Sequence, residues 1–322
     1  MRAAVQARYG APEVVHVADV RVPVVGAGEV RVAVHATTVN RTDCGLRAGK
    51  PFFVRALTGP FRPRARILGN EFAGVVESVG EAVSRFSVGD RVFGYSRRFG
   101  AHAELLVVPQ EGLIASVPAG LSFRDVAAGT EGAHYALSVI WKAGIRGGQD
   151  VLVNGATGGI GSAAVQLLAD LGARVTAVCG AEYVDLVSGL GADGVIDRDA
   201  VDFTKDEHRY DVVLDAVGKS SFGRCRRLLK PRGLYLTTDL GPWSQNVVLP
   251  VVTRLGRGRR VMLPLPIENQ EIIEYLSDRI ASRRFRPVVD RDYPLEQIVD
   301  AYRYVETGQK VGNVIITVVP GD

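Results

Sequence analysis

Cysteine is scarce in this chain. Its 3 cysteines, Cys44, Cys179 and Cys225, lie far apart and form no C-x-x-C pair. That excludes a disulfide framework and gives no zinc-ribbon signature. Cys179, at the end of an apolar run, reads as a small core residue. Cys225 sits among Arg224, Arg226 and Arg227, a setting that lowers a thiol's pKa when it is exposed. Long apolar runs are also missing. Residues 1–20 hold no continuous apolar stretch, and no run elsewhere approaches bilayer-spanning length. The expectation is a reduced, soluble, cytoplasmic protein with no membrane partner.

Neither charge sign dominates, the formal net charge being +4. The positive residues nevertheless cluster. Arg47, Lys50, Arg55, Arg62, Arg64 and Arg66 fall in a stretch with no acidic residue, and Arg254, Arg257, Arg259 and Arg260 form a second group. Two readings stand side by side: solvated loops, or a basic rim that draws an anionic ligand. Nucleic acid is not expected, because the aromatics do not form a stacking platform with these arginines and no DNA-reading motif occurs.

What the chain does have is a glycine turn in a telling context. The β-branched run 151–153 leads into Asn154, Gly155, Ala156, Thr157, Gly158, Gly159, Ile160 and Gly161. Residues 162–171 follow with helical periodicity that places Ile160, Ala164, Leu167, Leu168 and Leu171 on one face. A strand, a glycine turn and a helix in that order form a pyrophosphate cradle. The missing side chains let the backbone approach, and the unpaired N–H groups of the helix start face the negative charge. The match is A-x-G-x-x-G, through Ala156, Gly158 and Gly161.

The same rhythm continues. Strands are expected over 174–179, 193–197, 210–218, 234–238 and 260–264, with helices over 183–190 and 221–229. Strands alternating with helices give a doubly wound parallel sheet, so the fold class is α/β, with a dinucleotide-binding domain over 123–265. Residues 1–122 are written differently, as short strands at 14–17, 29–34, 73–79, 90–93 and 103–108 between Gly, Pro and Asp turns. That is the pattern of a mostly β, partly open barrel. A helix over 268–283, a segment 295–306 and a strand over 313–319 suggest that 266–322 completes the first domain.

Several landmarks occur in order: Thr38 to Asp43, Leu68 to Gly80, Val88 to Phe93, the glycine turn, and Asp211 to Gly218. Together they resemble the medium-chain dehydrogenase/reductase superfamily, and within it the zinc-free quinone oxidoreductases, from end to end. The resemblance implies a GroES-like catalytic domain beside the Rossmann domain, and an NAD(P)H-dependent enzyme acting on quinones or α,β-unsaturated carbonyls. A zinc-independent alcohol or aldehyde dehydrogenase is the alternative. A non-catalytic NADPH-binding sensor or structural protein is the alternative of another class. Zinc alcohol dehydrogenases of the superfamily have cysteine at the position of Asn40 and histidine at that of Asn70, so no zinc is expected here. Glu71 alone is not a metal site and is read as structural.

Without a Lewis acid, a conjugated acceptor is favoured, because its negative charge delocalises as hydride arrives. Asn40 offers an amide N–H to the acceptor oxygen. Arg41 either adds positive charge there or pairs with Asp43. Tyr135 stands where the resemblance places a nicotinamide-contacting threonine; it is a proton donor, a stacking ring or a packing residue. His134 is read as packed against the other domain.

At Cys179 and Gly180, where NAD-preferring folds place a carboxylate, this chain has none. Arg198 is a candidate for a bidentate grip on a 2′-phosphate, while Glu182 keeps NADH in play. NADP(H) is therefore favoured over NAD(H). Ala216, Val217, Thr238, Leu240 and Asn313 complete the expected cofactor-contacting set. The apolar edge strand 260–264 suggests a homodimer.

Overall fold

A computed structural model describes residues 1–241, 244–256 and 258–319. Arg257 of the second basic group lies outside the described residues, as does the end of the 266–322 segment. The chain divides into two compact units, Met1–Glu131 with the chain from Glu268 onward, and Gly132–Ile267. Among the described residues no helix is long and apolar enough to cross a membrane.

The first unit is organised by one long strand, Glu29–Val39. Its Val30, Val32 and Val34 alternate into a core with Phe72, Val76, Val92, Leu106, Val108 and Ile114, as the two-residue period of a pleated strand requires. The sheet has 7 strands, in the order Val289–Pro294, Asn313–Thr317, Glu29–Val39, Glu71–Val79, Arg91–Tyr95 and Leu113–Ser116, with Leu105–Pro109 also paired to the long strand. This is the expected mostly β unit. The strand Val289–Pro294 carries no sequence signal, since Asp290, Arg291 and Asp292 interrupt any apolar alternation. It lies at the sheet edge, where charged residues are tolerated and discourage further pairing.

Helix Arg41–Ala48 opens with a reciprocal capping box. The Asn40 side chain accepts from the Asp43 N–H, and the Asp43 side chain accepts from the Asn40 N–H. Gly49, at φ 61°, closes it in the left-handed region. Arg47 on this helix departs from both readings of the basic cluster. It is 1% exposed, donates to the Gly10 carbonyl and to Glu306, and stacks over the Tyr302 ring. Its role is in the core, beside the helix Ile298–Glu306.

The second unit is a 6-stranded sheet in the order Gly194–Asp197, Arg174–Cys179, Asp150–Asn154, Tyr210–Asp215, Leu229–Thr237 and Arg260–Met262. Every pair in it is parallel. The doubly wound expectation holds. Two details differ. The helix expected over 221–229 is a short turn, Phe222–Cys225, followed by a 3-10 turn. The next strand begins at Leu229 and runs through Pro231 and Gly233, which the sequence presents as breakers. The ladder skips from Leu229 to Leu234, so Pro231, which lacks an N–H, sits where no ladder bond is asked of it. Helix Gln245–Arg254, rich in valine and containing Pro250, has no helical signature in the sequence.

The cysteines follow burial. All three are buried. Burial pushes the Cys225 thiol up to about 11, so the neighbouring arginines do not make it reactive. Cys179 is a core residue, and burial raises its thiol too.

Candidate functional site

Each unit carries candidate site residues of its own. In the second, strand Asp150–Asn154 ends at Gly155, whose φ of 82° suits glycine. A Cβ there would meet Val217 Cγ1 at 2.3 Å. Helix Gly159–Asp170 starts from Gly158 with no side-chain cap, leaving its first N–H groups for a ligand. A Cβ at Gly161 would strike the Gly155 carbonyl oxygen at 2.0 Å, so this glycine lets the helix pack on the turn. A Cβ at Gly158 would meet only that same oxygen, at 3.6 Å. The cradle fits a dinucleotide pyrophosphate: bare backbone, an uncapped helix start and room above Gly158. Gly161 to Leu168 are buried, whereas Leu171, expected on the apolar face, is 38% exposed at the helix end.

Sequence reading missed the group that holds this turn in place. Asp215, fully buried at the end of its strand, accepts from Asn154 Nδ2 (3.0 Å), Gly218 N–H (3.1 Å), Ser220 N–H (2.9 Å) and the Tyr235 hydroxyl (3.1 Å). Ala216 and Val217 therefore sit on a turn fixed from below, and Thr238 N–H reaches the Asp215 carbonyl. Leu240 is half-buried, and its carbonyl accepts from the Asn246 N–H at 3.1 Å. At the second strand's end, the Arg198 N–H bonds the Cys179 carbonyl at 2.9 Å. The Glu182 carboxylate folds back so closely that a Cβ on Gly180 would meet it at 2.6 Å. A guanidinium and a carboxylate thus flank one strand end.

Tyr135 lies half-buried on helix Glu131–Ala143, its ring edge-on to that of His134. His134 is buried, and its Nε2–H donates to the Ile267 carbonyl within the same unit. Asn313 belongs to the first unit, where its Nδ2 donates to the Val288 carbonyl at 3.0 Å.

The first unit's candidate residues centre on Asn40. Its Oδ1 accepts from the Asp43 N–H at 3.0 Å, and its Nδ2 donates to Glu131 Oε2. The Thr42 hydroxyl donates to the other oxygen of Glu131 at 2.7 Å. Beneath them lies Glu71, fully buried, accepting from Thr38 Oγ1 (2.6 Å), Thr130 N–H (3.0 Å), Thr130 Oγ1 (2.9 Å) and Glu131 N–H (2.6 Å). The structural role expected of Glu71 is thus the cap of helix Glu131–Ala143, a carboxylate at a positive helix end. Asp43 is also buried, held by the Asn40 and Gly69 N–H groups, and forms no ion pair with exposed Arg41 among the described residues. Of the two readings of Arg41, the pairing with Asp43 is not what the structure has.

Burial pushes the carboxyls of Asp43 and Glu71 above their ordinary range. It pushes Glu131 well above, helped by the charges of Asp43 and Glu71 and opposed by the Thr42 hydroxyl and Lys310. Asn70 donates from Nδ2 to the Ser96 carbonyl at 2.8 Å. Among the described residues no group of three or more His, Cys, Asp or Glu is placed to hold a metal ion.

Comparison with known proteins gives this geometry a family. Residues 26–119 match the alcohol dehydrogenase GroES-like domain, and residues 190–316 match a family described as zinc-binding dehydrogenase. The chain is 30% identical to a 2-methylene-furan-3-one reductase of Solanum lycopersicum, over 97% of this chain and 78% of that protein. It is also 30% identical to a quinone oxidoreductase of Mus musculus, over 98% of this chain and 97% of the relative. The chain belongs to the medium-chain dehydrogenase/reductase superfamily, among its quinone oxidoreductase-like members. The structure of the quinone oxidoreductase from Coxiella burnetii superposes with a TM-score of 0.87 at 25% identity, covering 99% of both chains. Reactions of this superfamily use a nicotinamide cofactor, and the glycine cradle has the donor set for one. The zinc-binding dehydrogenase match, over 190–316, does not reach Asn40 or Asn70.

Burial sets a pH dependence at His134. It lowers that imidazole from 6.5 to about 4. The unfolded chain therefore binds the proton more readily, and the stability tied to the neutral ring, full above pH 6.5, is lost as pH falls toward 4. The loss is on the order of 3 kcal/mol. The raised carboxyls of the first unit act in the opposite sense, so the comparison must be with a variant. His134→Gln should flatten urea-unfolding stability against pH between 7 and 4.5 relative to the native chain. Parallel curves would exclude a buried neutral histidine.

Proposed function

We propose that this chain is an NAD(P)H-dependent, zinc-independent reductase of quinones or α,β-unsaturated carbonyls. The observation that carries the reading is the state of Asn40. In the place where the superfamily's zinc enzymes have a thiolate, an amide is committed at both ends, its oxygen to the Asp43 N–H and its nitrogen to Glu131. Asn70, in the histidine position, spends its nitrogen on the Ser96 carbonyl. Amides are poor zinc ligands beside thiolate and imidazole, so this donor set does not fit the metal. The names of the relatives, a quinone oxidoreductase and a furanone reductase, point to the same substrate class.

The bound nicotinamide would supply hydride, while this chain binds, orients and stabilises. The N–H groups at the start of helix Gly159–Asp170 would hold its pyrophosphate. The second N–H of the Asn40 amide meets the acceptor oxygen as charge develops on it. A conjugated acceptor spreads that charge into an enolate or hydroquinone and needs no Lewis acid. For the cofactor we favour NADP(H), with Arg198 at the 2′-phosphate. Its side chain is half exposed and lies loosely against Asp199, at 3.7 Å. The chain is proposed to act as a homodimer. Helix Gln245–Arg254 exposes Val247, Val248, Val251 and Val252 on one face, each more than half exposed, beside the open edge strand Arg260–Met262. A cytoplasmic site of action completes the reading.

For the chemical step, 2-cyclohexenone should be reduced far faster than cyclohexanone, in the presence of chelator as in its absence. Asn40→Ala should slow the enone about a hundredfold and Asn40→Asp more, since it sets a negative charge beside the developing oxyanion. If Tyr135→Phe alone shows that drop, the oxygen contact moves to the tyrosine. Equal rates for ketone and enone would favour the zinc-independent alcohol dehydrogenase reading.

For the cofactor, Arg198→Ala should raise KM for NADPH roughly ten- to a hundredfold, about 1.5–3 kcal/mol, and leave NADH nearly unchanged. Equal effects on both would transfer the choice to Glu182. For assembly, sedimentation equilibrium at micromolar concentration should give a dimer that Val251→Glu splits. Monomer alone in the native chain would sink the proposal.

A further inference from the structure

We propose that Glu131 is the positioning residue for the Asn40 amide: it accepts one of the two amide hydrogens and so leaves the other directed at the acceptor oxygen. This rests on the reading of Asn40 given above. Two neighbours set which end of the amide is which. The Asp43 N–H demands an acceptor and meets Oδ1, while the Glu131 carboxyl meets Nδ2. An amide fixed at its oxygen and at one hydrogen has no free rotation left, so its remaining N–H has one direction.

Glu131 is itself held from both sides. Its Oε1 accepts from Thr42 Oγ1 at 2.7 Å, and its backbone N–H is fixed on Glu71 at 2.6 Å. Thr130, one residue before it, gives Glu71 both its N–H and its hydroxyl. Thus Asn40 and Thr42, two positions apart at the start of one helix, grip the two oxygens of a single carboxyl. The helix cap alone does not call for an acid here. The helix Glu131–Ala143 is already capped by Glu71, and a side chain 7% exposed beside Asp43 and Glu71 carries the desolvation and repulsion of three carboxyls together. Placing an acceptor against the Asn40 amide is what this side chain does.

The experiment is a double-mutant cycle on 2-cyclohexenone reduction with NADPH, with cofactor binding and thermal unfolding followed for each protein. Glu131→Ala should lower kcat about tenfold or more, leave KM for NADPH unchanged, and add nothing further in an Asn40→Ala background. Glu131→Gln should restore most of the rate, because its amide oxygen accepts from Asn40 and its nitrogen donates to the Thr42 hydroxyl. Should Glu131→Ala fail to fold, Thr42→Val carries the test. It frees one oxygen of Glu131 and should cost several-fold in kcat, again only when Asn40 is present. Losses that multiply fully with Asn40→Ala, or a Glu131→Gln as slow as Glu131→Ala, would overturn positioning, the second making the acid itself the reactive group. An unchanged kcat in Asn40→Ala would instead overturn the reading of Asn40, and this inference with it.

Discussion

The candidate chemistry of the first unit depends on one buried carboxylate. Glu71 is kept in the interior by four donors from Thr38, Thr130 and Glu131. Those donors come from the end of the long strand and from the start of a helix, so a single side chain ties the sheet to the backbone that presents Glu131. A buried acceptor that holds four donors is rigid, because any departure leaves a donor unsatisfied in a dry interior. From there the order passes upward: Glu71 fixes residues 130–131, Glu131 meets Asn40, and Asn40 closes the capping box with Asp43.

The second unit solves a parallel problem with a different acid. Asp215 collects donors from the neighbouring strand, from the turn after its own, and from Tyr235. Both units therefore place an acid at one end of a strand and use it to satisfy backbone N–H groups that the neighbouring ladders leave open. Loops that must hold a ligand have few backbone partners, and a multidentate acceptor supplies them.

The glycine turn and the parallel sheet were legible in the sequence because their signals are local: a period-two or apolar run, a required φ, a helical repeat within about ten residues. The strand Val289–Pro294 was not legible, since its pairing comes from register with Asn313–Thr317 and not from its own side chains. Arg47 reads as a surface charge until Glu306 and Tyr302, far along the chain, close around it. Asn40 could be singled out from the sequence, but its connection to Glu131 spans 91 positions, and nothing in the pattern around residue 131 announces it. The segment 130–137 did attract notice, yet for Tyr135 and His134. What sequence reading lacks is the identity of the partner, which only the packed backbone supplies.

The glycines of the cofactor turn answer to different masters. At Gly155 and Gly161 an added carbon collides with the protein itself, with Val217 Cγ1 and with the Gly155 carbonyl oxygen. At Gly158 it meets nothing closer than 3.6 Å. Packing holds the first two and sets no such limit on the third. In a lineage that ceased to bind a dinucleotide, Gly158 would be the first of the three to drift, while Gly155 and Gly161 would persist as relics of packing. The order in which such a turn decays thus follows how much of each glycine's constraint comes from the fold itself.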